Sequence, residues 1–188
     1  MTLNRLDTIG GQRGASGPPA ADGLVRHRQG KSEGTKKVKF VADSMLGKLA
    51  KWLRVLGYDT LYQSYYGPGV IDRLMKEDRC LLSRHKATVD HYTDALLLYS
   101  DRVGGQLTEL KQLVPLTPDQ SNWFSRCLVC NVLLKEAKEN EARGNIPEYV
   151  FYQNIKGIRF CPSCGRYYWP GSHRTKMVSQ LREWGFIR

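Results

Sequence analysis

Val38-Lys39-Phe40-Val41-Ala42-Asp43-Ser44-Met45-Leu46-Gly47-Lys48-Leu49-Ala50-Lys51-Trp52-Leu53-Arg54-Val55-Leu56-Gly57 changes its hydrophobic period once, and that change predicts the fold. Residues 38–42 form a short apolar, β-prone run that ends on Asp43. Beyond it, Leu46, Leu49, Leu53 and Leu56 recur at helical spacing and make one stripe, with Lys48, Lys51 and Arg54 away from it. Gly57 stands where a left-handed residue closes a helix, and residues 58–62 resume an extended pattern. Strand, helix and strand in succession make a βα unit.

The same alternation continues downstream. Residues 64–69 read as loop, 70–77 as a short helix, 79–83 as a buried strand, 95–99 as another strand and 106–113 as a helix. This order predicts an α/β domain over residues 37–117, with a mostly parallel sheet, right-handed crossovers and flanking helices. Asp43, Ser83-Arg84-His85 and Ser100-Asp101 each follow a predicted strand, so they fall on the carboxyl rim where open α/β sheets bind ligands. Asp72, near the start of its helix, is placed to join them. Carboxylates at Asp43, Asp72 and Asp101 suit Mg²⁺ or Mn²⁺, which can activate water against a phosphodiester. An Asp at a strand end is also a common helix cap, and spacing alone does not separate the two.

After Pro115 and Pro118 the pattern becomes short, aromatic and punctuated by cysteine. Cys127 and Cys130 form one C-x-x-C pair, and Cys161 and Cys164 form a second. Two such turns supply the four thiolates of a closed, structural Zn²⁺ site, predicting a small zinc ribbon over residues 118–175. The gap between the pairs exceeds the usual about 15–20 residues of a ribbon, and the charged stretch 135–145 looks like the excess. Two disulfides or two redox centres are the alternatives, but a redox C-x-x-C is normally single and opens a helix in an α/β domain. Cys80, alone in an apolar strand, reads as a small hydrophobe.

Tyr167, Tyr168, Trp169, His173, Arg174 and Lys176 mix flat rings with cations, the combination that stacks bases and neutralises phosphates. The same rings can instead cover the metal site of a module with little core. A helical tail over residues 176–188 closes the reading.

Composition bounds what partners are reasonable. The 188 residues carry 29 Lys and Arg against 18 Asp and Glu, a net charge of +11, which favours polyanions such as RNA. Charge bears on association and not on fold, so a basic protein with no nucleic-acid role stays open. Hydrophobic residues at 41% and charged residues at 25% match ordinary globular usage, which excludes a fibrous or wholly disordered chain. Residues 1–36 are rich in Gly, Ser, Pro and Arg and read as a disordered basic arm, with an organelle transit segment as the minority reading. No apolar run is long enough for a membrane span, and the cysteine pairs suit a reducing compartment, so an intracellular and most simply cytoplasmic protein is expected.

From residue 39 to 173 the chain resembles the carboxy-terminal ribonuclease domain of the Mut-seven type, a PIN-like nuclease fold followed by a zinc ribbon. The residues that carry the resemblance are Phe40 through Arg54, Leu56-Gly57-Tyr58-Asp59-Thr60, Arg79-Cys80-Leu81-Leu82-Ser83-Arg84, Phe124-Ser125-Arg126-Cys127 through Asn131, and Cys161 through His173. The resemblance implies RNA as substrate or ligand, a Mg²⁺/Mn²⁺ centre of acidic residues and a setting in RNA processing or on a ribonucleoprotein particle such as the ribosome. Asp43 takes the family's first acidic position and Asp72 its second. At the third, where the family has Thr/Ser-Arg-Asp, this chain has Ser83-Arg84-His85. A neutral imidazole does not replace the negative charge that holds a hard ion. The expectation is therefore an RNA-binding protein with a weakened nuclease centre, with an active metal-dependent ribonuclease and a protein-interaction scaffold as alternatives.

Overall fold

The computed structural model describes residues 38–116 and 119–187. The basic arm read over residues 1–36 lies outside the described residues. Strand β1, Lys39–Ala42, opens the fold with Phe40, Val41 and Ala42 completely buried. Helix α1, Gly47–Val55, follows and turns its stripe inward, with Leu46, Leu49, Leu53 and Leu56 all in the core. Gly57 ends it with φ +85, and a side chain there would also strike the Asn122 backbone, so both conformation and contact require glycine.

Strand β2, Thr60–Tyr62, pairs with β1 in parallel, Phe40 against Thr60. Helix α2, Val70–Met75, returns the chain to β3, Arg79–Ser83, which takes the other side of β1. The short helix α3, Lys86–Asp90, leads to β4, Ala95–Leu97, and helix α4, Val103–Leu113, follows. All pairings are parallel and the order is β2-β1-β3-β4. Because β2 and β3 leave β1 in opposite directions, the strand order reverses between β1 and β3. Their carboxyl ends are the crevice of the sheet. Helix α3 escaped the sequence reading because five residues carry less than two turns of periodicity. Helix α4 starts at Val103 and not at residue 106, since Gly104 and Gly105 hide its first turn from a propensity argument.

The Cys-rich part has a small antiparallel sheet, β5 (Lys135–Glu136), β6 (Arg159–Phe160) and β7 (Tyr167–Tyr168), in the order β5-β6-β7. Between β5 and β6 the excess residues fold into helices α5, Glu139–Arg143, and α6, Glu148–Asn154. Ala142, Ile146, Val150, Phe151 and Ile158 give this insert its own core, against which Tyr167 and Trp169 pack. Helix α7, Ser172–Glu183, begins earlier than the expected tail and comes back to the α/β core. Its Leu181 is fully buried, and Trp184 meets Trp52 of α1 edge to face at 4.7 Å.

Arg54 corrects the sequence reading most. Placed there on the polar side of α1, it is 3% exposed. Its Nε donates to the Thr60 carbonyl at 2.9 Å, and its Nη1 to the carbonyls of Leu128 and Val129 at 2.8 and 3.0 Å. Burial lowers its pKa, opposed by the nearby Cys127 sulfur. Asn131 makes a parallel link: its side chain accepts from the Thr60 amide at 3.0 Å and donates to Asp59 at 2.8 Å. Arg126 adds a bond to the Gly57 carbonyl at 3.3 Å. The first cysteine turn is thus stitched to the β2 edge of the parallel sheet.

Candidate functional site

The two cysteine turns are near copies of each other. The Asn131 amide donates to the Cys127 carbonyl at 3.0 Å, and the Gly165 amide to the Cys161 carbonyl at 2.9 Å. Both residues take left-handed φ, +65 and +70, which Asn and Gly tolerate best. The Cys127 and Cys161 amides close the hairpins on the carbonyls of Val132 and Arg166. This geometry turns the sulfurs toward one point.

All four Sγ atoms of Cys127, Cys130, Cys161 and Cys164 lie within 4.8 Å of one another, and they form a group that can hold a metal ion such as zinc. Four sulfurs about 2.3 Å from a tetrahedral ion stand about 3.8 Å apart. Cys127 and Cys164 are 3.8 Å apart. Cys127 and Cys161 are buried, Cys130 is half-buried and Cys164 is exposed.

The charges around the sulfurs favour a cation. Burial alone would raise the Cys127 thiol, but a hydrogen bond from the Tyr168 hydroxyl and amides of Cys130 and Val129 outweigh it and bring it to about 6. The Tyr168 hydroxyl, 3.1 Å from Cys127 Sγ, is raised by burial and by that sulfur. Burial also raises Cys161; at Cys164 the Arg166 amide lowers the thiol, but burial together with the Cys130 and Cys127 sulfurs outweighs it and leaves the pKa raised. One thiolate forms readily and the next resist, the pattern a divalent ion reverses.

The rim of the parallel sheet is organised by Asp43. One carboxylate oxygen accepts from the Met45 amide at 2.8 Å, and its backbone carbonyl accepts from the Leu46 amide at 3.1 Å, so it does shape the entry to α1. The other oxygen accepts from the Ser83 hydroxyl and, at 3.4 Å, from the Arg84 amide. Ser83 Oγ in turn accepts from the His85 amide at 3.0 Å. The ends of β1 and β3 are therefore joined through Asp43 and Ser83.

Asp72 and His85 are held by other partners. The Tyr92 hydroxyl donates to Asp72 at 2.8 Å, and His85 Nδ1 meets Thr88 Oγ1 at 3.1 Å. Asp101 pairs with Arg84. Among the described residues, the cysteines are the group of three or more metal-ligating side chains that gather, and Asp43, Asp72 and His85 do not form another. Beside Asp43 the rim opens into a cleft of about 380 Å³ whose walls include Ser44, Lys48, Tyr62, Arg84 and Asp101. Its charged walls are Lys48 and the paired Arg84 and Asp101, so no cluster of carboxylates faces the opening.

The six residues singled out for nucleic acid are divided by the fold. Tyr167, Tyr168 and Trp169 sit together, half-buried, on and after β7. The Tyr168 hydroxyl meets the Cys127 sulfur and the Tyr167 hydroxyl donates to the Glu141 carbonyl at 3.2 Å, so these rings have a structural duty as well. His173, Arg174 and Lys176 are exposed in the first turns of α7, with the Arg174 guanidinium over the Phe124 ring at 4.7 Å. Sequence reasoning missed Arg54 and Asn131 as residues of this region. The Asn where the second turn has Gly was the available signal for one of them.

Among the described residues no helix is long and apolar enough to cross a membrane. A comparison with curated protein sequences finds no match. Residues 38–181, which span the parallel sheet, both cysteine turns and most of α7, match the family model of the Mut7-C RNAse domain, and the chain belongs to that family.

Proposed function

We propose that this chain binds RNA in RNA processing or on a ribonucleoprotein particle, with a nuclease centre weakened at His85. The observation that carries the reading is the state of the rim. Asp43 spends its carboxylate on Ser83 and two backbone amides, Asp72 is held by Tyr92, and the third position offers an imidazole. A hard Mg²⁺ or Mn²⁺ ion requires several oxygen donors facing one point, and this donor set fits it poorly. Family membership and the net charge of +11 support RNA as the partner.

In this reading Cys127, Cys130, Cys161 and Cys164 hold a structural zinc. The ion supplies folding energy to the ribbon and no chemistry, because four protein ligands leave no open position. Tyr167, Tyr168 and Trp169 then form one contact area for RNA, and His173, Arg174 and Lys176 another. A retained Asp43 at the crossover of the sheet favours the second reading, an active metal-dependent ribonuclease with Asp43 and Asp72 as ligands.

Filter binding of the zinc-loaded protein to single-stranded RNA across a salt series tests the RNA reading. Affinity should fall linearly on a log–log plot, with a slope of about −0.7 per phosphate neutralised. Absence of binding, or an affinity indifferent to salt, would leave a protein-interaction scaffold as the better account.

A further inference from the structure

A second cleft, of about 480 Å³, opens in the ribbon and not at the rim. Its walls include Val129 from the tip of the first cysteine turn, Arg166, Tyr167 and Trp169 after the second, and Ile146 and Pro147 from the insert. We propose that this cleft accepts one unpaired base of single-stranded RNA, with Arg166 taking the adjoining phosphate. The proposal deepens the RNA-binding reading and rests on it.

The first argument is shape and polarity. The volume falls within the about 300–1,000 Å³ of small-ligand clefts and gives room for one nucleoside-sized group. The walls are apolar and aromatic, and none of the lining residues is acidic. Val129 is 52% exposed at the edge, an apolar side chain that the fold itself leaves uncovered.

The second argument is rigidity. Tyr167 and Trp169 rest on the insert core, and the Tyr167 hydroxyl is tied to the Glu141 carbonyl. Aromatic walls fixed in advance lose little entropy when a ring stacks on them. The long insert between the cysteine pairs then has a use, since its loop at Ile146 and Pro147 supplies part of the wall and its core backs Tyr167 and Trp169.

The third argument is charge. Arg166 is exposed, and among the described residues its guanidinium makes no ion pair or hydrogen bond. An unpaired guanidinium beside flat apolar walls matches a phosphate next to a base. In a duplex the bases are already stacked and paired, so the cleft selects single strands.

Fluorescence anisotropy with a labelled oligouridylate and with a blunt RNA duplex of equal length tests this on the full zinc-loaded chain. The variants are Arg166→Glu and Val129→Glu, each checked for zinc content and far-UV circular dichroism; both positions are surface-exposed, so at least one is expected to fold. Wild type should prefer the oligouridylate, and each folded variant should weaken it by about tenfold or more, as loss of one stacked base with its phosphate does. If wild type binds neither RNA, both this proposal and the RNA reading fail. If wild type binds RNA but folded Val129→Glu stays within about twofold of it, below the loss of one stacked base, only the cleft proposal is overturned. Equal affinity for duplex and single strand, or displacement of the RNA by oligoglutamate that requires the same two residues, overturns it as well.

Discussion

Arg54→Met should destabilise the α/β part and the first cysteine turn together. The guanidinium is 3% exposed and donates to three carbonyls, those of Thr60, Leu128 and Val129. Hydrogen bonds from a charged group contribute about 1.5–3 kcal/mol each, but two corrections reduce the sum. The bonds to the Leu128 and Val129 carbonyls are only part-buried, so water replaces part of them. Methionine also removes the desolvation cost that lowers the Arg54 pKa, with the loss of attraction to the Cys127 sulfur acting the other way. A net loss of about 3 kcal/mol remains, a large share of the about 5–15 kcal/mol typical of a domain. At this chain length each kcal/mol moves Tm by about 2–4 °C, so the midpoint should fall by about 6–12 °C. Arg54→Lys should recover only part of it, because an ammonium lacks the planar fork that spans both sides of the joint. The assay is thermal unfolding followed by circular dichroism with zinc held in slight excess. An Arg54→Met midpoint within about 2 °C of the parent, under 1 kcal/mol, would refute the idea that this residue joins the two parts.

Other expectations follow from the same contacts. Leu181→Ala empties a fully buried site under α7 and should cost about 2–5 kcal/mol, read from urea midpoints; a loss below about 1 kcal/mol would mean that α7 does not complete the core. For Asp59, burial raises the carboxyl but hydrogen bonds from Arg79 and Asn131 outweigh it, leaving the pKa lowered. Its contribution is therefore full above the unfolded value of about 3.9 and lost as pH falls through the folded value. Asp59→Asn should be clearly less stable than wild type at pH about 7 and nearly equal to it once Asp59 is protonated, and a stability gap constant with pH would contradict the assignment. Chelation of zinc should unfold the ribbon and, through Arg54 and Asn131, lower the melting midpoint of the parallel sheet; an unchanged midpoint would separate the two.

Much of the fold was legible because β1 and α1 follow simple periods. Leu46, Leu49, Leu53 and Leu56 are buried as their spacing requires, and Gly57 adopts the left-handed turn its position called for. The cysteine group was legible for a chemical reason: four soft donors in paired turns have few other uses. Arg54 was not, since a cation on a helix is normally solvated and two of its three partners lie 74 and 75 residues away. The insert helices were hidden as well, because residues 135–145 look like a solvated charged loop until Ile146, Val150, Phe151 and Ile158 supply a core further along. At the rim the sequence singled out Asp43, Asp72 and His85, but not the hydrogen-bond partners that hold them apart from one another. Ser83 and Tyr92, which hold two of them, are set by tertiary contacts and not by a local pattern.

The most direct measurement is cleavage of single-stranded RNA with Mn²⁺ by wild type, Asp43→Asn, His85→Asp, and His85→Asp combined with Asp43→Asn. The account predicts an inactive wild type, metal-dependent cleavage by His85→Asp, and loss of that activity in the combined variant. Cleavage by wild type that Asp43→Asn abolishes would contradict it and make the chain an active ribonuclease.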